Sequence, residues 1–234
     1  MGSWETGFGE DQLWPREVSN ADQKREVARK MAERVRSGDV VGVGSGSTSL
    51  FTLKALADRA ASESIDWVAV TTSDEMELTC ASLGVPTTSL QVVRPDWSFD
   101  GADEVDPSGN LIKGRGGAML REKLVMASSP ERYVVVDSAK LVDRLGSKFP
   151  VPLEVVPEAV RLVHDELRGW NVGENGLRAG VSKDGPVITE HGNYVLDVRM
   201  LEIEEDAEKR LKAIPGVVEC GLFIGYAPTV LVSQ

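Results

Sequence analysis

The sequence predicts an α/β fold built on a parallel sheet, with a smaller α+β unit inserted near its end. Short apolar runs at 40–43, 67–71 and 133–137 alternate with stretches of helical periodicity, as in parallel strands connected by helices. The pattern changes at Phe149-Pro150-Val151-Pro152, where the smaller unit is expected to begin. The predicted division is a flexible leader over 1–18, a larger domain over 19–150 and 209–234, and a smaller domain over 151–208.

The larger domain begins with a helix predicted over 20–35. Val27, Met31 and Val35 recur every four residues, and Ser19 or Asn20 can cap the first turn. The Val-Val-Gly-Val run that follows at 40–43 is short and apolar, as expected for a strand buried on both faces. The elements predicted after it are helices over 48–61, 74–82 and 118–127, strands over 67–71, 85–93 and 133–137, and a turn over 106–110.

The smaller domain mixes strands and helices over a short length of chain. Its predicted elements are a strand over 153–156, a helix over 158–167, a strand pair around Gly185-Pro186, a strand over 194–198 and a helix over 204–213. Two strand-like runs between 217 and 232 follow, and these are able to return to the main sheet.

Composition excludes several classes of function. Of the 234 residues, 26 are Lys or Arg and 37 are Asp or Glu, so the net charge is −11. A surface this acidic disfavours nucleic acid and anionic membranes as main partners. The two cysteines and two histidines supply neither a disulfide framework nor the spacing of a metal site. We find no signal peptide and no apolar run of membrane-spanning length, and we therefore expect a cytoplasmic protein without metal.

The segment Gly42-Val43-Gly44-Ser45-Gly46-Ser47-Thr48 joins a predicted buried strand to a predicted helix. Glycines expose backbone N–H groups there, and the helix start and the hydroxyls favour a phosphate. A tight turn without a ligand is the alternative. The pattern matches neither Gly-x-Gly-x-x-Gly nor Walker A, so a phosphomonoester suits it better than a nucleotide.

Two further loops carry charged residues beside glycines. Asp100-Gly101-Ala102-Asp103-Glu104 follows a strand-like stretch, where short carboxylates either bind sugar hydroxyls or cap a turn. Lys113-Gly114-Arg115-Gly116-Gly117 opens a helix and is either an oxyanion site or a flexible basic loop. Lys140, after the strand over 133–137, either reaches a substrate phosphate or is solvated.

Glu122 is the candidate general base. On a helical wheel its neighbours are the apolar residues Ala118, Met119, Val125 and Met126, whereas most glutamates lie on solvated faces. Burial in such a sector raises a carboxyl pKa towards neutrality, which suits proton abstraction. The alternative is a surface glutamate paired with a neighbouring Arg or Lys.

As a set, these motifs resemble ribose-5-phosphate isomerases of type A. The glycine and serine loop, Asp-Gly-Ala-Asp-Glu, Lys-Gly-x-Gly-Gly-Ala-x-x-Arg-Glu-Lys and Lys-Phe-Pro-Val-Pro-Leu-Glu-Val occur in that family's order. The resemblance runs from about residue 20 over nearly the whole chain, including Gly-Asn-Tyr-Val-Leu-Asp at 192–197 and Pro-Gly-Val-Val-Glu-Cys-Gly-Leu-Phe at 215–223.

The resemblance implies an activity and an architecture. The family interconverts D-ribose 5-phosphate and D-ribulose 5-phosphate in the non-oxidative pentose phosphate pathway, through a cis-enediolate and without a metal or organic cofactor. Its fold is a Rossmann-like parallel-sheet domain with an inserted ferredoxin-like domain. The implied partners are a small sugar phosphate and further copies of the chain, as a homodimer or homotetramer.

The resemblance also implies roles for individual residues. Glu122 corresponds to the base, Lys113 and the amides after it to the stabiliser of the enediolate, Asp100 to the group that assists ring opening, and Asp103 to a holder of hydroxyls. The implied substrate-binding residues are Ser45, Gly46, Ser47, Thr48, Gly101, Ala102, Gly114, Arg115, Gly116, Lys140 and, by its position, Lys24.

One departure from the family pattern leaves the substrate range open. Arg115 stands where the family usually has glycine, and its side chain either lines the site or points away. The rival functions are the same chemistry on another sugar phosphate, a sugar-phosphate-binding regulatory module without catalysis, and a Rossmann-type oxidoreductase. A substrate panel, ligand-induced stabilisation without turnover and a nicotinamide titration distinguish them in turn.

Overall fold

A computed structural model describes residues 19–181 and 183–233. The expected leader over 1–18 lies outside these ranges. The largest sheet has six strands in the order β13-β7-β4-β1-β2-β3, and every neighbouring pair is parallel. Its strands are β1 (Val40–Val43), β2 (Val68–Thr71), β3 (Thr87–Thr88), β4 (Trp97–Asp100), β7 (Glu131–Asp137) and β13 (Thr229–Ser233).

Helices cover both faces of this sheet. The helices of this domain are α1 (Ala21–Ala32), α2 (Gly46–Glu63), α3 (Asp74–Ser82) and α4 (Met119–Ser128). Val41 and Val43 of β1 belong to the apolar core that also takes buried side chains from α1, α2 and α3. Gly42 faces the other way, and a Cβ there would lie 2.5 Å from Val125 on α4. The strand therefore places Val41 and Val43 in one apolar core and, on the opposite face, leaves no room for a side chain at Gly42.

A second sheet is antiparallel and has its own core. Its strand order is β11-β8-β10-β9. The elements of this part are β8 (Val151–Val155), α5 (Val160–Leu167), β9 (Val172–Leu177), β10 (Tyr194–Met200), α6 (Ala207–Lys212) and β11 (Val217–Cys220). Buried side chains of both helices, including Val163, Leu167 and Leu211, pack with those of β8 and β10. A parallel α/β domain joined to this α+β unit confirms the predicted fold class.

A third, small sheet takes two strands from between β4 and β7 and one from between β11 and β13. It consists of β5 (Glu104–Val105), β6 (Leu111–Ile112) and β12 (Leu222–Phe223) in the order β12-β6-β5. Its side chains divide between the cores, since Val105, Leu111 and Phe223 pack with Val134 of β7 while Ile112 packs with the second sheet. The loop that follows β6 is therefore held by both domains.

The structure differs from the expected domain boundary at residue 208. The expected larger domain includes β11, but this strand pairs with β8 of the antiparallel sheet. Of the two runs expected to be able to return to the main sheet, only the second does so, as β13 beside β7.

Two predicted strands are also wrong in the structure. Only Thr87–Thr88 of the run at 85–93 forms a strand, because the N–H groups of Val92 and Val93 donate back to Ser89 in a turn. Within the described residues, the strand pair expected around Gly185-Pro186 reduces to two isolated bridges, between Ala179 and Pro186 and between Ile188 and Tyr194. The neighbour of β10 is instead β9, which contains two glycines.

Within the described ranges, no helix combines the length and apolar character needed to cross a membrane.

Candidate active site

The site lies where two adjacent parallel strands end. β1 and β4 are paired, so Gly44 and Asp100 come to the same edge of the sheet, where parallel α/β folds bind ligands. A Cβ at Gly44 would lie 2.2 Å from Oδ1 of Asp100, and the Gly44 N–H donates to the Phe99 carbonyl at 2.8 Å. Glycine at this position is therefore what admits the buried carboxylate of Asp100.

Lys113 is the centre of the charged cluster. Its Nζ lies 3.0 Å from Oδ2 of Asp100 and 3.4 Å from Oε2 of Glu122, and it donates to the Gly101 carbonyl at 2.6 Å. The side chain is only 3 % exposed. Its backbone N–H donates to the Gly221 carbonyl at 2.9 Å, which fixes the residue directly after β6. Lys113 is therefore a single buried cation that pairs with two buried carboxylates.

Glu122 lies on the buried face of α4, as the helical wheel predicts, together with Met119, Val125 and Met126. Burial, which is the largest cause, raises the pKa of Glu122 to about 8; the Lys113 cation lowers it, and the Asp100 carboxylate raises it further. A carboxyl group with this pKa can exchange a proton near neutral pH.

Two carboxylate oxygens at this centre lack hydrogen bonds. Among the described residues, Oδ2 of Asp100 and Oε2 of Glu122 are buried without a hydrogen-bond donor, although both lie within ion-pair distance of Lys113. Burial also raises the pKa of Asp100, against the effect of Lys113. Buried oxygens of this kind are normally satisfied, so they are available to bind hydroxyl groups of a ligand.

The glycine-rich loop after Lys113 forms a tight turn beside this centre. The Gly117 N–H donates to the Gly114 carbonyl at 3.0 Å, and both glycines have positive φ, +86° and +99°. The Arg115 N–H donates to Oδ2 of Asp103 at 3.1 Å. The two aspartates of Asp-Gly-Ala-Asp-Glu therefore act differently, because Asp100 pairs with Lys113 while Asp103 holds the turn.

The predicted phosphate loop forms the start of α2. The helix begins at Gly46, which has a φ of +84°. Because they belong to the first turn, the N–H groups of Ser47 and Thr48 have no partner within the helix. Lys24 of α1 donates from Nζ to Oγ of Ser47 at 3.0 Å, and the Ser45 hydroxyl is 2.6 Å from that of Thr72. The first turn of α2 and a lysine thus form a basic, hydroxyl-rich recess.

Lys24 is unusually buried for a lysine, at 5 % exposure. Burial lowers its pKa, the nearby Asp137 carboxylate raises it, and Lys140 lowers it. The charge of Lys140 therefore acts on Lys24. The sequence indicates Lys24 only through the resemblance, and the structure brings it to the predicted phosphate loop.

Arg115 points towards an aromatic ring and is exposed. Its guanidinium lies 5.3 Å from the centre of the Phe149 ring, and Nζ of Lys140 lies 5.4 Å from the same centre. Arg115 has no positive φ, so a side chain fits here without backbone strain. The two remaining predicted positions are Ala102, which packs against the core beside β5 and β6, and Gly116, which is exposed.

Comparison with known proteins assigns the family. Residues 68–234 match the sequence model of ribose 5-phosphate isomerase A, also called phosphoriboisomerase A. The ribose-5-phosphate isomerase A of Thermosynechococcus vestitus is 49 % identical over 215 residues, covering 90 % of this chain and 91 % of that protein. The chain belongs to the ribose 5-phosphate isomerase A family. The relative from Pyrococcus abyssi is 43 % identical over 219 residues, covering 92 % of this chain and 95 % of its own.

Solved structures of the ribose 5-phosphate isomerase A family share the fold. That from Methanocaldococcus jannaschii superposes with a TM-score of 0.88 at 39 % identity, covering 92 % of this chain and 96 % of the other. A D-ribose-5-phosphate isomerase in complex with phospho-erythronic acid superposes with the same TM-score at 40 % identity, covering 91 % and 94 %.

Sequence reasoning gave no role to three buried or half-buried charged residues of this isomerase fold. Glu104 is fully buried and accepts N–H bonds from Gly146, Lys148 and Phe149 at 2.6–2.7 Å, so it fixes the loop that carries Phe149. The available signal was the third acid of Asp-Gly-Ala-Asp-Glu, which no turn requires.

Lys123 and Arg178 are the other two. Nζ of Lys123 is buried and lies 2.7 Å from carboxylate oxygens of both Glu208 and Glu219. Arg178 reaches the glycine-rich turn from the antiparallel sheet. The hydrogen-bond partners of these two side chains are 19 to 99 residues away in the chain, so no local pattern indicated them.

The described ranges contain no group of three or more His, Cys, Asp or Glu side chains able to hold a metal ion.

Proposed function

We propose that this chain interconverts D-ribose 5-phosphate and D-ribulose 5-phosphate. The observation that carries the proposal is the buried Lys113 cation held between the carboxylates of Asp100 and Glu122, within 3.4 Å of each. A base and a cation at one buried centre are what the exchange of a hydrogen between adjacent sugar carbons requires. Membership of the ribose 5-phosphate isomerase A family supports the choice of substrate.

Binding begins with the phosphate group. The chain carries a net charge of −11, so a dianionic substrate is attracted only by a local site. The first turn of α2, the hydroxyls of Ser47 and Thr48 and the ammonium groups of Lys24 and Lys140 supply that site. Anchoring the phosphate there leaves the other end of the sugar for the buried carboxylates.

Ring opening is the second step. The furanose must release its anomeric hydroxyl proton so that the C1 carbonyl forms and the ring C–O bond breaks. Asp100, whose Oδ2 lacks a hydrogen-bond donor among the described residues, accepts that proton and delivers it to the ring oxygen, which becomes the C4 hydroxyl. Asp103, which already holds the Arg115 N–H, binds a sugar hydroxyl beside it.

Proton transfer is the third step. The ionised Glu122 carboxylate takes the proton from C2, the electron pair of the C–H bond forms the C1–C2 double bond, and the carbonyl oxygen becomes the enediolate oxygen. Lys113 and the Gly116 N–H of the turn stabilise that oxygen, a contribution on the order of 10²–10³-fold per donor. A proton then passes from O2 to O1, and Glu122 returns its proton to C1, which leaves a ketone at C2.

The test follows ketopentose phosphate formation from D-ribose 5-phosphate by the purified chain in the presence of a chelator. We expect turnover, and we expect Glu122→Gln to lower kcat by at least about 10²-fold while substrate still binds. Glu158→Gln, on the exposed surface, is the matched control and keeps wild-type activity. Folded protein without turnover, or turnover that stops when metal is chelated, would refute the proposal.

Phospho-erythronic acid offers a second measurement. A relative was solved in complex with it, and its planar carboxylate carries negative charge where the enediolate develops it. We expect competitive inhibition against ribose 5-phosphate. Failure to compete would contradict a shared site.

We also propose that the chain forms a homodimer or homotetramer. β9 is the edge strand of the antiparallel sheet, and its Leu177 is 41 % exposed, which makes the edge suitable for contact with another copy. Light scattering measures the mass directly, and a monomer at micromolar concentration would contradict the proposal.

A further inference from the structure

Arg178 connects the antiparallel sheet to the glycine-rich turn of the active site. It follows β9 directly, and its Nη1 donates to the carbonyls of Gly114 at 2.9 Å and Arg115 at 2.8 Å. These carbonyls belong to the first two residues of the turn after Lys113. A single guanidinium group therefore determines which way two successive peptide units face.

The guanidinium is itself rigidly held. Its Nε donates to Oδ2 of Asp197 at 2.8 Å, and Nη2 donates to the other carboxylate oxygen of Asp197, which lies on β10. The backbone of Arg178 is paired on both sides, with its N–H on the Val195 carbonyl and its carbonyl accepting from Val187. A bidentate pair on a sheet leaves the group little freedom, so it acts as a fixed template.

Peptide geometry gives the consequence for the turn. In a trans peptide the carbonyl of one residue and the N–H of the next point in opposite directions, and the described chain has no cis peptide. With the Gly114 carbonyl on Arg178, the Arg115 N–H faces the opposite side, where it donates to Asp103. With the Arg115 carbonyl on Arg178 as well, the Gly116 N–H is directed away from Arg178.

We propose that Arg178 is a positioning residue for catalysis, which orients the turn so that the Gly116 N–H meets the oxyanion of the enediolate. The inference rests on the proposed isomerase function, since it assigns this amide a task in that reaction. Arg178 does not touch substrate and acts through the turn. It differs from a purely stabilising residue because its loss reduces stabilisation of the transition state more than binding of the substrate.

The test compares Arg178→Lys with the wild type. Lysine keeps the positive charge but lacks the planar fork that holds Asp197 and two carbonyls together. We expect kcat for ribose 5-phosphate to fall by about 10–100-fold, with KM changed by less than about threefold, because an oxyanion donor is displaced while the phosphate site is intact. The affinity for phospho-erythronic acid falls with kcat. Arg161→Lys, on an exposed helix position, is the control and keeps wild-type kinetics.

A second pair of variants keeps the inference testable if lysine disturbs folding. Arg178→Ala supplemented with guanidinium ion should recover part of its lost kcat, whereas the Arg161→Ala variant should not respond. Asp197→Asn retains the guanidinium but removes its charged partner, and its kcat should fall at least about fivefold with the melting temperature followed in parallel.

The outcomes separate this inference from the isomerase proposal. No turnover by the folded wild type contradicts the proposed function. If the wild type turns over and the folded Arg178→Lys and Asp197→Asn variants have kcat values within about twofold of the wild-type kcat, the positioning role alone is overturned. A loss of activity that matches only a loss of folded protein, with unchanged kcat per folded molecule, also overturns it.

Discussion

The pH dependence of kcat/KM tests the central feature of the site. Burial raises the pKa of Glu122 to about 8 from its ordinary 4.5. The base acts when ionised, so at pH 7 about a tenth of the free enzyme is competent. We expect kcat/KM for ribose 5-phosphate to rise about tenfold per pH unit up to about pH 8 and then to level off.

Replacing Asp100 by Asn should move the rising part of this pH profile, here called the limb, to lower pH. Nζ of Lys113 lies 3.0 Å from Oδ2 of Asp100 and 3.4 Å from Oε2 of Glu122, so these two carboxylate oxygens are at most about 6.4 Å apart. At an effective dielectric constant of about 20, two unit charges at this separation repel by roughly 2–3 kcal/mol, or about two pKa units. Removing the negative charge favours ionised Glu122, so its pKa falls and the limb moves towards about pH 6.

The assay is ketopentose phosphate formation at low substrate concentration over pH 5 to 10, fitted for the position of the limb rather than its height. The phosphate of the substrate also titrates, near pH 6, but its effect is common to every variant. Glu158→Gln, remote and exposed, serves as the control and keeps the wild-type profile. A wild-type limb near pH 4.5, or an Asp100→Asn limb that does not move down, would refute the reasoning.

Three further substitutions test individual features. Gly44→Ala places a Cβ 2.2 Å from Oδ1 of Asp100. We expect the free energy of unfolding in urea to fall by about 1–3 kcal/mol and kcat to fall strongly. An enzyme with unchanged stability and kcat would contradict the close approach. Lys24→Met keeps the buried stem but removes the charge, so KM for ribose 5-phosphate should rise about tenfold or more with kcat less affected, and an unchanged KM would remove Lys24 from phosphate binding. Arg115→Ala loses only an exposed contact with Phe149, so steady-state kinetics should change less than about threefold, and a larger loss would show that the guanidinium contacts substrate.

The parts of the fold that the sequence predicted are those that local patterns determine. Apolar runs such as Val40–Val43 are buried parallel strands because their composition and flanking glycines leave few alternatives. The run at 85–93 was wrong because Pro86 and the turn at Ser89 interrupt it, although its composition suits a strand. β9 was missed because Gly173 and Gly176 carry no side chain that would reveal the alternation.

The sequence predicts those site residues that are close to one another in the chain or that helical periodicity identifies. Glu122 could be found because an acid among apolar neighbours on a helix contradicts the expected pattern. Its neighbour Lys123 is also buried, but nothing on the same helix requires this, since its partners lie on α6 and β11. Arg178 was missed for the same reason, because its contacts depend on how the two domains pack.

The helix α4 carries two consecutive buried charges that belong to different parts of the molecule. Glu122 faces Lys113 at the end of the parallel sheet, while Lys123 is tied to Glu219 on the antiparallel one. In a chimera whose two domains came from different parents, Lys123 would meet the other parent's residues at the positions of Glu208 and Glu219. A mismatch there would leave a buried charge unpaired one residue from the base. Chimeras of this fold should therefore exchange α4, α6 and β11 as a single block.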